Sequence, residues 1–203
     1  MRRSGQRFVK RIAAEAQLED EARFLKSWFD KPLVTGAVYP SGKALARMMA
    51  RYVDPDVSGP VIELGPGTGP VTEALITRGI AEERLVLVEF NPDFCRLLRK
   101  RFPKARVIEG DAYDLGTTLA ALGEPAAAVV SSLPLFTKPE AQRLGLLQEA
   151  FGMMHAGCPF IQFTYATVSP MPLKGRDFEA EVSPRVWLNL PPARVWVYRD
   201  SRK

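Results

Sequence analysis

Residues 63–69 read ELGPGTG and close a short apolar run that begins at Gly59-Pro60-Val61-Ile62. Glycines at 65, 67 and 69 let the backbone turn tightly and let a ligand approach where a Cβ would collide. Pro70 stands where a dinucleotide motif, G-x-G-x-x-G, has its third glycine, so pyrophosphate binding is disfavoured. No Gly-Lys-Ser/Thr follows, and the P-loop reading fails with it. Taken alone, the segment also reads as a plain strand-to-helix turn.

Working outward, strand and helix signals alternate. Strand 60–64 leads into helix 70–78. LVLVE (85–89) is a buried strand, and Asn91-Pro92 caps and opens a helix to about Phe102. Strand 106–109, a short helix near 114–122, strand 127–132, a helix from Pro139 to near Gly157, and strand 158–166 follow. Upstream, apolar spacing predicts a helix over 6–29 ended by Lys31-Pro32. Ser41 reads as the N-cap of another helix, to about Val53. Downstream, FEAEVSPRVWLNL and ARVWVYR flank Pro191-Pro192 as two strand-like runs. The expected fold is α/β, a doubly wound, mostly parallel seven-stranded sheet ending in an antiparallel hairpin.

At 203 residues, with 46% hydrophobic and 25% charged, the chain suits one buried domain and a short appendage. Cys95 and Cys158 are far apart without a CxxC, which argues against a disulfide framework or zinc site and fits a reducing cytoplasm; no metal is expected. The uncharged stretch Ala150–Leu173 is long enough to span a bilayer, but Gly157-Cys158-Pro159, Gln162, Pro170 and Pro172 break it. No secretory apolar region follows the N-terminal arginines. The net charge of +5 permits an anionic partner, nucleic acid or lipid head groups.

In a doubly wound sheet the ligand crevice lies at the strands' carboxyl ends. Glu89 ends the second strand, where an acid can accept both hydroxyl protons of a ribose; the alternative is a solvated carboxylate. Asp111 ends the third, where it can accept an adenine's exocyclic amine while Ala112 leaves room for the ring; the alternative is a turn acid. Together with the glycines they describe an adenosine site without phosphates.

ELGPGTG, the Glu89 of VEFN, GDA (110–112) and SSLPL (131–135) resemble the ordered motifs of class I S-adenosylmethionine-dependent methyltransferases, across residues 60–199. The resemblance implies S-adenosylmethionine as cofactor, with Glu63 beside its methionine amine, Glu89 on the ribose and Asp111 at the adenine. Tyr39, Ser41, Gly65, Gly67, Thr68, Gly69, Asn91, Ala112, Ser131 and Leu133 complete the implied cofactor contacts. Base-methylating members resemble N/D-P-P-Y/F at the fourth strand's end. SSLPL has neither the amide nor the adjacent aromatic, which weakens nucleobase chemistry.

GAVYPSGKALARMMARYVDP (36–55), taken with the later motifs, resembles the soluble, peripheral type of bacterial phospholipid N-methyltransferase. These are similar to rRNA adenine dimethylases in the core but lack the C-terminal helical domain, and this chain also ends just after the hairpin. The implied substrate is phosphatidylethanolamine, methylated toward phosphatidylcholine at the inner face of the cytoplasmic membrane, with no nucleic acid partner. Residues 1–35 are then a membrane-binding segment and 36–203 the methyltransferase domain. Arg2, Arg3, Arg7, Lys10 and Arg11 offer charge, and Phe8, Val9, Ile12, Trp28 and Phe29 an insertable face; the alternative is a domain-packing helix. Candidate catalytic residues are Tyr39, which can orient the amine, then Tyr165, Ser131 and His155. His155 also reads as a helix C-terminal residue, and Ser131 as a strand cap. Arg194 can grip the lipid phosphate or lie on the surface. Competing readings are an rRNA adenine methyltransferase and a noncatalytic membrane-binding protein that keeps a nucleoside pocket.

Overall fold

The computed structural model describes residues 40–173, 175 and 177–202. The helix expected over 6–29, the basic and apolar positions on it, and Tyr39 lie outside the described residues. Helix α1 (Pro40–Ala50) precedes strand β1 (Val61–Leu64). Then come α2 (Pro70–Arg78), β2 (Leu85–Glu89), α3 (Pro92–Arg101), β3 (Arg106–Glu109), the short α4 (Leu115–Thr118), β4 (Ala128–Ser131), α5 (Glu140–Met153) and β5 (Phe160–Thr164). Strands β6 (Phe178–Val182) and β7 (Arg194–Asp200) complete the chain.

The strands form one seven-stranded sheet in the order β3-β2-β1-β4-β5-β7-β6, with only β7 running against its neighbours. The fold is therefore the mostly parallel α/β sheet with an antiparallel end that the alternation predicted. Parallel strands need helical crossovers, and helices on both faces bury both sides of the central strands β1, β2 and β4. Residues alternate between two cores accordingly. Val61, Leu85, Leu87, Ala128, Val130, Ile161 and Val197 face α1 and α2. Ile62, Leu64, Val86, Val88, Val129, Phe160 and Tyr198 face α5.

Several boundaries differ from the sequence reading: α1 ends at Ala50 rather than about Val53, α4 at Thr118 rather than near 122, and α5 at Met153 rather than near Gly157. The helix predicted to be capped by Ser41 begins at Pro40, so Ser41 lies within it. The run VWLNL (186–190), read as strand, is a turn-rich loop, because Pro184, Pro191 and Pro192 have no N–H to give a ladder. Only Val186 makes a bridge, with Ala193. No helix among the described residues is long and apolar enough to cross a membrane.

Candidate cofactor-binding site

Strand order reverses between β1 and β4, and a crevice of about 400 Å³ lies along the sheet's carboxyl edge there. Gly65 lines it from the loop after β1, and Glu89, Phe90 and Asn91 after β2. Asp111, Ala112 and Tyr113 follow β3, and Leu133, Pro134 and Lys138 follow β4. Four consecutive parallel strands thus each deliver a loop to one cavity.

Glu89 is only 5% exposed, and both its carboxylate oxygens are engaged. Oε2 accepts from the Gly67 N–H at 3.0 Å and Oε1 from the Asn91 N–H at 2.9 Å. A carboxylate has about four lone-pair sites, so acceptor capacity remains for a ligand after these two bonds. One side chain therefore fixes the glycine loop and borders the crevice. The Asn91 side chain is used otherwise: its Oδ1 caps α3 by accepting from the Asp93 N–H at 2.8 Å.

The glycines divide their work differently from the expectation that all three clear space for a ligand. Gly67 has φ 57°, and a Cβ there would meet no atom within 4 Å. Gly69 has φ 86°, and its Cβ would sit 2.5 Å from Phe102 Cε2. The room at Gly69 is thus taken by Phe102, at the end of α3, and serves packing.

Glu63 is not among the residues that line the crevice. It is fully buried on the α2 side of β1, where its Oε2 accepts from the Thr72 hydroxyl at 2.6 Å and Oε1 has no partner. Burial pushes its carboxyl up to about 8, partly offset by the Thr72 bonds. A folded-state value above the unfolded one means that the native protein holds the extra proton between about 4.5 and 8. Ligand-free stability is therefore expected to fall as pH rises through that window, by at most about 1.4 kcal/mol per pH unit from this group. Glu63→Gln should flatten the slope in denaturant titrations between these pH values. A slope equal to the parent's would mean that Glu63 is ionised in the fold at low pH.

At the third strand's end, Asp111 is exposed and its Oδ1 accepts from the Tyr113 N–H at 2.8 Å. Burial, with the nearby Asp111 charge second, pushes the Tyr113 phenol up, and the Lys138 ammonium lies 4.5 Å above its ring. At the fourth strand's end, Ser131 is fully buried and its Oγ accepts from the Leu133 N–H at 3.4 Å, a capping geometry. Leu133 is held in turn by Gln162, whose Nε2 donates to the Leu133 carbonyl at 3.1 Å and to that of Phe163 at 2.7 Å. Sequence reasoning saw Gln162 only as a break in an apolar run. Its signal was a lone amide inside an otherwise apolar parallel strand.

Other predicted residues scatter. Thr68 is outside the crevice lining, and its carbonyl accepts from the Arg101 guanidinium. Tyr165 follows β5 at the carboxyl edge, with its ring edge-on to Phe163 at 5.5 Å. Arg194 opens β7 opposite Thr164, at the same edge, and its Nε is buried without a hydrogen bond. His155 is at the opposite, amino-terminal edge: its N–H donates to Ala126 at 3.0 Å, and Nε2 lies close to Gly59. It follows α5 as a connecting residue, and a role for it at the crevice is excluded by this placement. Phe90, Tyr113 and Lys138 were missed, although Phe90 directly follows Glu89 and is 77% exposed at the crevice.

The model of the ribosomal RNA adenine dimethylase family matches residues 43–135. The ornithine lipid N-methyltransferase of Singulisphaera acidiphila is 31% identical over 190 residues, covering 92% of this chain and 99% of that protein. Ribosomal RNA small subunit methyltransferase A of a Synechococcus strain is 39% identical over 92 residues, covering 44% of this chain; the chain spans only 30% of that relative's length. Among solved structures, the glycopeptide N-methyltransferase MtfA complexed with S-adenosylmethionine is similar in fold. It has a TM-score of 0.50 and 23% identity over 80% of this chain and 68% of that one.

Proposed function

The chain belongs to the class I S-adenosylmethionine-dependent methyltransferases, in the family of the ornithine lipid N-methyltransferase, and from that premise we propose that it methylates the amine of a membrane lipid. Phosphatidylethanolamine is the acceptor we assign, with its mono- and dimethyl derivatives as successive substrates on the way to phosphatidylcholine. The end-to-end likeness to a lipid N-methyltransferase supports this reading most. The fourth strand's end agrees with it. Leu133 and Pro134 line the crevice there, Leu135 is buried, and the Ser131 hydroxyl faces its own backbone, so residues 131–135 carry no side-chain amide or aromatic ring to clamp a flat base.

The residues present fit the cofactor. Glu89 keeps acceptor capacity for ribose hydroxyls, Asp111 lies where an adenine amine can donate, and Gly67 leaves the loop open. S-adenosylmethionine supplies an electrophilic methyl group on a sulfonium. The protein's share is to place the acceptor nitrogen in line, about 3 Å from that carbon, which makes positioning the main catalytic contribution. Gln162 fixes the wall by holding Leu133 in place. Tyr39 and Tyr165 are our candidates for orienting the amine, and Arg194, with its buried Nε still free to donate, for the lipid phosphate. An ethanolamine ammonium resembles a lysine with a pKa of about 10.4, so the reactive free amine is scarce at neutral pH and turnover should rise with pH.

We place the enzyme on the cytoplasmic membrane surface, with residues 1–35 as its electrostatic anchor. Replacing Arg2, Arg3, Arg7, Lys10 and Arg11 by glutamine should weaken sedimentation with anionic vesicles, most of all at low salt, since each basic residue contributes about 1 kcal/mol. Equal binding at low salt would remove that role.

A second reading, methylation of an rRNA adenine, is favoured by the family match over 43–135. The substrate experiment is a series of vesicles carrying phosphatidylethanolamine, ornithine lipid or only phosphatidylcholine, followed by lipid mass spectrometry. Successive additions of one methyl mass on phosphatidylethanolamine are expected. Additions on ornithine lipid alone would replace the acceptor, and none on any lipid would refute the proposal.

A further inference from the structure

The loop 183–193 between β6 and β7 turns its composition inside out. Val186 and the polar Asn189 are buried, at 7% and 3% exposure, while Trp187, Leu188 and Leu190 are 73%, 79% and 74% exposed. The loop is held in this form by defined bonds. Ser183 exchanges bonds with Val195, with N–H to carbonyl at 2.8 Å and Val195 N–H to Oγ at 3.0 Å, and Val186 N–H donates to Ala193 at 2.8 Å. Asn189 Nδ2 donates to the Pro191 carbonyl at 2.7 Å, so the buried amide is satisfied within the loop. A loop in water normally shows its amides and hides its large apolar groups.

Position and charge fit one occupant. Val182 ends β6 opposite Trp196, and Arg194 opens β7 opposite Thr164, the last residue of β5. The loop therefore projects from the carboxyl edge of the sheet, the edge that carries the crevice. No acidic residue lies between 183 and 193, and the Arg185 guanidinium sits 5.7 Å above the Trp187 ring. Tryptophan and arginine side by side suit the head-group layer of a bilayer, where an amphipathic ring and a cation are both satisfied. We infer that Trp187, Leu188 and Leu190 insert into the interface of an anionic lipid bilayer and hold the carboxyl edge of the sheet against the membrane. The inference rests on the lipid-acceptor reading for its purpose, but not for its test.

The test is sedimentation with phosphatidylcholine and phosphatidylglycerol vesicles that contain no amine lipid. It is run at about 1 M salt, where the Debye length is about 3 Å and attraction by basic segments is screened. The full chain is compared with Trp187→Ala/Leu188→Ala/Leu190→Ala and, separately, Leu188→Asp. Both variants are expected to bind vesicles at least tenfold more weakly, with unchanged S-adenosylmethionine affinity. Methylation of a short-chain, monomeric phosphatidylethanolamine should also be kept, because the exposed tips contribute little to the fold. Vesicle binding equal to the parent's, or no binding by the parent, overturns the inference. So does a shift of the parent from dimer to monomer in the variants, which would make a second copy the occupant. If loop-dependent binding is found and no lipid is methylated, the acceptor proposal falls and this surface stands.

Discussion

Glu89→Ala is expected to weaken S-adenosylmethionine binding roughly 10- to 150-fold, the effect of losing about 1.5–3 kcal/mol of charge-assisted hydrogen bonding. The carboxylate accepts from the Gly67 and Asn91 N–H groups, so its removal also frees the loop that borders the crevice. Glu89→Gln keeps one oxygen and should fall between the parent and alanine. The measurement is a dissociation constant by titration calorimetry, with thermal unfolding as a check that each variant is native. An unchanged affinity in a folded Glu89→Ala protein would remove Glu89 from the cofactor site.

Gly67→Ala and Gly69→Ala should fail in opposite ways. Both positions have positive φ, 57° and 86°, which costs an alanine about 1–2 kcal/mol. Only at Gly69 does the new Cβ collide, 2.5 Å from Phe102, and overpacking adds about 1–3 kcal/mol. Gly69→Ala should therefore lower the unfolding temperature by roughly 5–15 °C, since about 1 kcal/mol is worth 2–4 °C at this chain length. Gly67→Ala should unfold within a few degrees of the parent yet lose at least about tenfold in cofactor affinity, because strain at this φ disturbs the N–H that holds the Glu89 carboxylate at the crevice. Equal stability losses in both would show that the loop's glycines serve only the turn.

Much of this arrangement was legible in the sequence. Strand and helix boundaries fell within one or two residues for 61–109, because buried parallel strands are continuous apolar runs with turn residues at each end. The end of the second strand exposed Glu89 as a crevice residue for the same reason. What local pattern cannot give is the identity of a distant partner. Nothing near Gly69 announces that Phe102 fills its space, and nothing near Glu63 announces that Thr72 receives it beneath the loop. The serine at 131 read equally as proton acceptor or cap until its bond to Leu133 was seen. The His155 imidazole has the chemistry for proton transfer, but topology puts it at the far edge. VWLNL alternates like a strand, but prolines on both sides deny it a ladder, and its alternation instead separates buried Asn189 from exposed Leu188 and Leu190.

The acceptor is tested most directly by letting the two proposed classes compete. The purified chain is incubated with S-adenosylmethionine carrying a labelled methyl group, phosphatidylethanolamine vesicles and ribosomal RNA in one tube, and the label is followed into organic solvent or RNA. Label is expected to enter the lipid fraction and to move with time from the monomethyl toward the trimethyl head group. Label in adenine of the RNA, with the lipid fraction blank, would contradict it.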